Sequence, residues 1–242
     1  MNNQKISNKN YRSFSNNTKL SKTEKVGRYK SHIGLEKNIF IDIVKKLKLK
    51  KNDEFLDIGC GIGNLTDYFI KYCVKNKINL TLCDIPEVIN ILKKKYSKVE
   101  NINFLGKEFQ EEKIKKKFDK ILCYSVIQYV NDPKFFIKKI LNILSIEGKI
   151  LIGDIPNINK KYRFLKSNFG KKFEEKRINN KIEIKNMKTF LKLTKQNKLI
   201  NDEFINFIIS YSRKKNRNSI IMKQPIKLPF SHTREDVLIE EI

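Results

Sequence analysis

Hydrophobic and polar positions alternate along the chain with two different periods, which predicts helices and strands in succession. From Leu35 to Leu49 the apolar residues lie three and four residues apart, as on one face of an amphipathic helix. A short apolar run at 54–58 then leads through a glycine-rich turn at 59–63 into a second helical pattern. The change of period indicates a strand, a tight turn and a helix.

The same alternation continues to about residue 155. Further strands are predicted at 79–83, 102–105, 118–124 and 149–152, and further helices at 87–96 and 133–144. Pro86 suits the first turn of the helix that follows it. Strands that alternate with helices indicate a parallel sheet covered by helices on both faces.

The pattern changes after Asp154. Charged helical segments are predicted at 159–175, 185–197 and 201–212, with Gly170 as a possible break, and two further strands at 219–223 and 236–241. The connection between these two strands is short and contains two prolines, so we expect a hairpin that makes the seventh strand antiparallel.

These elements predict an α/β fold, a doubly wound, mostly parallel seven-stranded sheet with a helical insertion after the fifth strand. The predicted divisions are a loosely ordered polar arm at 1–27 and a domain at 28–242, made of a core at 35–155, an insertion at 156–217 and terminal strands at 218–242. The arm is expected because its Asn, Ser, Thr and Lys residues offer little apolar surface to bury.

The N-terminal residues lack the apolar stretch of a secretory signal, and no apolar run approaches the roughly 20 residues of a membrane-spanning helix. We therefore expect a cytoplasmic protein. Its four cysteines lack the spacing of a zinc site, which favours reduced, half-buried thiols and no bound metal.

The net charge of +26 has two explanations. It could attract nucleic acid or another polyanion. However, only seven of the 52 basic residues are arginine, and the chain contains no alanine or tryptophan, as expected from codon drift in an AT-rich genome. Because phosphate and base recognition favours the arginine fork over the lysine point charge, we favour drift.

The glycine turn and a following acid indicate a nucleoside site. Gly59, Gly61 and Gly63 allow a tight bend on which a ligand can lie, at the carboxyl edge of the sheet where such folds bind ligands. Asp84 follows Gly63 by 21 residues, at the tip of the second strand, where a carboxylate can accept hydrogen bonds from ribose hydroxyls. Asp57, before the turn, suits a ligand with an amino group rather than a diphosphate.

The segment Leu56-Asp57-Ile58-Gly59-Cys60-Gly61-Ile62-Gly63 resembles the first motif of the class I S-adenosylmethionine-dependent methyltransferases. Asp84 matches the acid of their second motif. The resemblance covers about residues 35–155 and, more weakly, the two terminal strands. It implies the Rossmann-like methyltransferase fold, S-adenosylmethionine as the cofactor, and methyl transfer as the reaction.

The resemblance also implies roles for individual residues. Asp57 and the glycine turn would hold the methionine moiety, Asp84 the ribose, and Ile85 the adenine. Glu108 is the best match for the acid that meets the adenine amine, or else it is a solvated carboxylate. The implied cofactor-binding residues are Asp57, Gly59, Cys60, Gly61, Gly63, Asp84, Ile85, Glu108, Phe109 and Tyr124.

The methyl acceptor is less well defined. The segment after the fourth strand lacks the motifs of adenine and cytosine methyltransferases, so we expect O-methylation of a small metabolite or a sugar or glycan precursor. His232 and Asp154 are the candidate general bases, because both are expected near the carboxyl edge of the sheet, and His32 is a weaker candidate. The alternatives are an RNA methyltransferase and a non-catalytic nucleoside-binding scaffold.

Aromatic and cationic residues alternate in the segment 162–173. Such a segment can form a lid over the acceptor, an interfacial helix that contacts a membrane peripherally, or an insertion that packs on the domain. The pattern leaves these three possibilities open.

Overall fold

The computed structural model describes residues 19–26, 33–179, 200–228 and 230–242. The helices of these ranges are α1 Lys22–Lys25, α2 Glu36–Leu47, α3 Asn64–Lys75, α4 Pro86–Tyr96, α5 Pro133–Asn142, α6 Ile158–Lys166, α7 Asn168–Ile178 and α8 Asp202–Lys214. The strands are β1 Glu54–Ile58, β2 Asn79–Asp84, β3 Ile102–Gly106, β4 Phe118–Tyr124, β5 Leu144–Pro156, β6 Arg217–Met222 and β7 Arg234–Glu241. None of these helices is long and apolar enough to cross a bilayer.

The strands form one seven-stranded sheet in the order β3-β2-β1-β4-β5-β7-β6. Strands β1 to β5 pair in parallel, and β7 lies antiparallel to both β5 and β6. The predicted doubly wound sheet and its antiparallel seventh strand are therefore confirmed. The strand order reverses between β1 and β4, which places a switch point directly beyond the glycine turn.

Helices cover both faces of the sheet and bury its side chains in two layers. Phe55 belongs to the layer under α2, α3 and α4, whereas its neighbour Leu56 belongs to the layer under α5 and α8. Leu122 and Cys123 divide between the same two layers. This alternation follows from the two-residue period of a strand and fixes the face of the sheet on which each side chain packs.

Strand β5 is longer than the sequence predicts. It begins at Leu144, and Gly148 lies within it rather than in a turn before it. Its pairing with β4 shifts register between Phe118 and Lys120, so a bulge absorbs the extra residues. The predicted helix consequently ends earlier, at Asn142.

The break in the helical insertion lies at Ser167 instead of Gly170. Ser167 is extended, with ψ 152°, and its hydroxyl accepts a hydrogen bond from the Gly170 amide at 3.0 Å, which caps α7. Gly170 is needed there for another reason, because a Cβ atom would collide with the carbonyl of Phe164 at the end of α6. The predicted helix at 185–197 lies outside the described residues.

Part of the N-terminal segment, which we predicted to be loosely ordered, forms the short helix α1. A capping box between Ser21 and Glu24 begins it. The Thr23 side chain is buried and donates a hydrogen bond to Glu36 at 2.6 Å. Residues 1–18 of the predicted arm lie outside the described residues.

Candidate active site

The glycine turn bends tightly at the end of β1. Gly59 and Gly61 adopt φ values of 71° and 64°, a region that side chains with a Cβ atom rarely enter. The Gly59 amide donates to the carbonyl of Cys83 at 2.7 Å, which ties the turn to β2. A Cβ atom on Gly59 would also overlap the Val126 side chain, so the loop after β4 closes against the turn.

Gly63 is not required for the tight bend that we predicted. Its φ of −80° is accessible to any residue, so the bend does not require glycine there. Instead, a Cβ atom on Gly63 would lie 3.1 Å from Val26, just after α1. The segment 19–26 thus packs over the turn, where Lys22 also pairs with Asp67 of α3.

Asp84 holds the turn from the end of β2. One carboxylate oxygen accepts from the Gly61 amide at 2.8 Å, and the other accepts from the Ile85 amide at 2.7 Å. Burial raises the pKa of Asp84 to about 6, with the two amides opposing the rise and Glu108 and Glu87 adding to it. Since each carboxylate oxygen can accept two hydrogen bonds, both oxygens keep a lone pair for ligand hydroxyls.

Asp57 is a buried carboxylate without a cationic partner among the described residues. The residue is 5% exposed, and no described side chain or amide donates a hydrogen bond to its carboxylate. Burial, and to a smaller extent the charge of Asp84, raises its pKa to about 8. A buried carboxylate of this kind is matched by a ligand that brings its own ammonium group.

Two of the remaining predicted cofactor residues lie in different surroundings, one in the glycine turn and one in the core. Cys60 lies in the turn, and burial together with Asp84 and Asp57 raises the pKa of its thiol well above the usual value. Phe109 is buried in the core, where its ring packs against Phe136 with the centroids 5.2 Å apart.

Three further predicted residues lie at the carboxyl edge of the sheet. Ile85 begins α4 directly after Asp84, and Glu108, just beyond β3, is close enough to raise the pKa of Asp84. Tyr124 ends β4, is 8% exposed, and packs against Gly153 of β5. The structure therefore brings the predicted nucleoside residues together along one edge.

A second cluster lies where β4 and β5 approach that edge. Ser125 and Asp154 both adopt left-handed conformations, with φ 59° and 58°, and the Ser125 hydroxyl donates to the Asp154 carboxylate. The Asp154 amide donates to Asp236 at 2.8 Å, and the Gln224 amide lies 3.4 Å from the other Asp154 oxygen. The Arg234 guanidinium is 3.7 Å from the same carboxylate, so both oxygens of Asp154 have protein partners.

His232 lies in an aromatic cluster and not beside Asp154. Its ring stacks on Phe164 with centroids 5.2 Å apart and planes inclined by 2°, and it contacts Phe169 and Phe173 edge-on at 5.4 and 5.5 Å. Within the described ranges, no group hydrogen-bonds to its ring nitrogens. The third candidate, His32, lies outside the described residues.

Several features of this edge are absent from the sequence-based prediction. The contact of Val26 with the turn, the left-handed Ser125 and the role of Arg234 all depend on residues far apart in the chain. Only the segment 162–173 gave a signal, because its alternating aromatic and basic residues supply the ring cluster around His232.

The residues of this edge fit S-adenosylmethionine. Asp57 offers a buried carboxyl group that can pair with the ammonium of a methionine moiety, and Asp84 offers two acceptors for ribose hydroxyls. The glycine turn leaves backbone exposed to a ligand at the switch point of the sheet. In the described ranges, no cluster of His, Cys, Asp or Glu has the form of a metal site, and all four cysteines are free.

Comparison with known proteins agrees with this chemistry. A family profile described as a methyltransferase domain matches residues 56–150. The malonyl-(acyl-carrier protein) O-methyltransferase of Bacillus anthracis is 26% identical over 129 residues, which cover 53% of this chain and 46% of the relative. The juvenile hormone acid O-methyltransferase of Bombyx mori is 28% identical over 111 residues, covering 44% and 40%.

The ubiquinone biosynthesis O-methyltransferase of Pelagibacter ubique is 32% identical over 135 residues, covering 51% of this chain and 53% of that protein. The chain thus spans about half the length of the curated relatives it matches.

Solved structures share the fold over nearly the whole chain. The N-methyltransferase NodS from Bradyrhizobium japonicum WM9, in complex with S-adenosyl-l-homocysteine, gives a TM-score of 0.61 at 11% identity and covers 100% of this chain and 99% of its own. The plantazolicin methyltransferase BamL, in complex with a triazolic desmethylPZN analog and SAH, gives 0.60 at 17% identity, with coverages of 98% and 97%. Residues 56–150 thus match a methyltransferase domain, and the seven-stranded sheet of the chain has the fold of these methyltransferase structures.

Proposed function

We propose that this protein transfers a methyl group from S-adenosylmethionine to an oxygen atom of a small acceptor. The observation that carries the proposal is the buried Asp57 carboxylate, which lies beside Asp84 and has no cation from the described residues to balance it. The names of three relatives describe O-methyltransferases, which favours oxygen as the attacking atom.

The bound cofactor would supply a sulfonium methyl group that is ready for displacement. The chain would then hold the methyl group and the acceptor oxygen in line, and this orientation accelerates the transfer. Asp57 and the glycine turn would hold the amino acid part, and Asp84 the ribose. The acceptor would enter beside Ser125 and Asp154, where β4 and β5 end.

The two candidate bases differ in their hydrogen-bond and ion-pair partners. The Asp154 carboxylate accepts from Ser125 and lies 3.7 Å from the Arg234 guanidinium, which suits a positioning residue better than a base. The imidazole of His232 keeps both nitrogens without partners among the described groups, although its ring faces a pocket set back from Asp154. If the attacking oxygen belongs to a carboxylate, no base is needed, because the carboxyl group is already deprotonated at neutral pH.

The small acceptor is a metabolite or a sugar or glycan precursor, and we propose a cytoplasmic location. The four free thiols support that location, because thiols persist in reducing compartments.

Transfer of labelled methyl from S-adenosylmethionine tests this function. The chain is incubated with the labelled cofactor and with small carboxylic acids, small alcohols, RNA or protein, and the labelled product is separated by class. We expect label in the small-molecule fraction. Label in RNA or protein alone, or none in any class although the cofactor binds, would contradict the proposal.

Variants in the same assay separate the base candidates. For a hydroxyl acceptor, loss of the base lowers turnover by about 10²–10⁴-fold. We expect this loss in His232→Ala if the histidine is the base and in Asp154→Asn if the aspartate is, while the exposed control Glu147→Gln keeps full turnover. Full activity in both test variants would assign catalysis to alignment alone.

A further inference from the structure

A pocket lies between the helical insertion and the loop that precedes β7. The end of β5, helices α6 and α7, and residues 230–234 form its walls, and its volume is about 100 Å³. A single water molecule needs only roughly 10–15 Å³ of such space. The pocket is therefore large enough for a small organic group, and it is separate from the nucleoside residues of β1 and β2.

Three cationic side chains line this pocket, and they differ in their partners within the described residues. Arg177 pairs with Glu174, the carboxylate that also lines the pocket. Arg234 donates to the Asp154 carbonyl at 3.0 Å and stacks on the Phe230 ring. Lys161 is half-buried, and none of the described residues accepts a hydrogen bond from its ammonium group.

Partial burial of the Lys161 ammonium favours the binding of an anion beside it. Burial is the largest influence on the group and lowers its pKa, while the nearby Glu174 opposes the shift without forming a described hydrogen bond to it. An anion in the pocket would restore the interactions that the ammonium loses on leaving water.

The rest of the wall is apolar and aromatic. Phe164 and Phe173 line the pocket together with His232, whose ring stacks on Phe164. Ring faces and edges of this kind suit a flat or hydrocarbon group next to the charged one. The pocket thus combines the Lys161 ammonium with an apolar surface.

The pocket lies next to the place where the acceptor is expected. Arg234 lines the pocket and also contacts Asp154, and Pro156 of the pocket wall follows Asp154 by two residues on β5. Two residues of a strand span about 7 Å. A small molecule anchored in the pocket can therefore reach the edge where β4 and β5 end.

We propose that this pocket binds the anionic group of the methyl acceptor, a carboxylate or a phosphate on an apolar body, with Lys161 as the residue that recognises the charge. The inference rests on the proposed methyltransferase function and adds the chemical class of the acceptor. The pocket fixes one end of the molecule, and the oxygen that accepts the methyl group lies toward Asp154.

Fluorine NMR with three small probes tests this inference on the full chain with S-adenosylhomocysteine present. The probes are 4-fluorobenzoate, 4-fluorophenyl phosphate and the neutral 4-fluorobenzamide, and their dissociation constants are measured for the unmodified chain, Lys161→Met, Lys161→Arg and Lys171→Met. Lys171 is an exposed lysine of α7 outside the pocket and is the matched control.

We expect benzoate, phenyl phosphate or both to bind at least tenfold more tightly than the benzamide. Lys161→Met should lose about tenfold or more in affinity for the anion, as for one charged hydrogen bond, while Lys161→Arg and Lys171→Met lose little. Binding of only one anion identifies carboxylate or phosphate as the recognised group.

Equal binding of the benzamide, equal losses in Lys161→Met and Lys171→Met, or no binding of either anion would overturn the inference. Calorimetric titration of S-adenosylhomocysteine is run on each variant, and its affinity should not change. If the anions bind through Lys161 while S-adenosylhomocysteine gives no heat, the proposed function fails and the pocket loses its assignment to a methyl acceptor, although it remains an anion site.

Discussion

At the scale of single residues, the site depends on two carboxylates that differ in the hydrogen bonds they accept. Asp84 receives two backbone amides, and Asp57 receives no hydrogen bond from the described residues. Asp57 accordingly has the more strongly raised pKa, about 8 against about 6 for Asp84. In the ligand-free chain burial thus favours the uncharged form of Asp57, and a cationic ligand bound beside it would favour the carboxylate.

The free energy of unfolding of the ligand-free chain should depend on pH through the ionisation of Asp57. Its folded pKa of about 8 exceeds the usual 3.8, so the folded chain binds more protons between these values and loses stability as pH rises toward 8. One such proton changes the free energy of unfolding by up to about 1.4 kcal/mol per pH unit. Urea unfolding at pH 5, 6, 7 and 8 should show this slope in the unmodified chain and a smaller one in Asp57→Asn.

The exposed control Glu147→Gln should keep the slope of the unmodified chain. Parallel slopes for the unmodified chain and Asp57→Asn would mean that Asp57 is ionised in the folded protein at neutral pH.

Asp84 should matter more to cofactor affinity than Glu108. Asp84→Ala removes two acceptors for ribose and also releases the Gly61 amide, and charged hydrogen bonds contribute about 1.5–3 kcal/mol each. Glu108→Ala removes a half-buried carboxylate beyond β3 and should cost less. Dissociation constants of S-adenosylhomocysteine for the two variants, measured by calorimetry, test this prediction. Equal losses of affinity would show that the residues assigned to ribose or adenine are wrong.

The residues that could be predicted from the sequence share one property, their nearness in the chain to a turn. Asp57 and Asp84 lie at fixed distances from the glycine turn, so local spacing identifies both. Ser125, Asp154 and Arg234 could not be assigned in this way. Their contacts join residues 29 and 80 positions apart, and such pairs are set by tertiary packing.

At the scale of elements, the loop after β4 closes against the loop after β1. Gly59 combines a left-handed conformation with direct contact to Val126. Gly34 also has a positive φ, 87°, but the space that a Cβ atom would enter there holds no described neighbour within 4 Å. The two glycines therefore separate the effect of conformation from the effect of close packing.

Gly59→Ala should destabilise the chain more than Gly34→Ala. Both changes place alanine in the left-handed region, which costs about 1–2 kcal/mol. Only the Gly59 change adds overpacking, typically about 1–3 kcal/mol. Urea unfolding of the two variants measures the difference, and Val126→Ala should recover part of the loss in Gly59→Ala. Equal destabilisation would show that the loop after β4 moves freely from the turn.

The order and type of elements in the core could be predicted because the period of apolar residues changes sharply at each strand. Boundaries were harder to predict wherever a distant contact decides them. The bulge in β5 depends on its register with β4, and that contact leaves no local pattern. The break at Ser167 is local, because the Ser167 hydroxyl caps α7 at the Gly170 amide.

At the scale of the whole molecule, a buried ion pair joins the first long helix to the last strand. The Lys46 ammonium of α2 lies 2.6 Å from the Asp236 carboxylate of β7, and the Asp236 side chain is fully buried. Asp236 also accepts from the Asp154 amide at 2.8 Å and from Gln224 at 2.9 Å. The pair therefore supports the left-handed backbone at Asp154 on the acceptor side of the site.

Removal of one partner should destabilise the fold strongly. Asp236→Ala leaves the Lys46 ammonium buried with Asp42 as its remaining carboxylate, and breaking such a pair costs about 3–5 kcal/mol. Urea unfolding should show this loss, and the double variant Lys46→Met with Asp236→Leu should recover much of it. A loss below about 1 kcal/mol in Asp236→Ala would show that the pair contributes no more than an exposed one.

The central claim is that the carboxyl edge of β1 and β2 is built for S-adenosylmethionine, and calorimetric titration tests it most directly. S-adenosylmethionine and S-adenosylhomocysteine should each bind at one site, with affinity lost in Asp84→Ala, while NAD should give no binding heat. Absence of binding by both sulfur compounds together with clear binding of NAD would contradict the account.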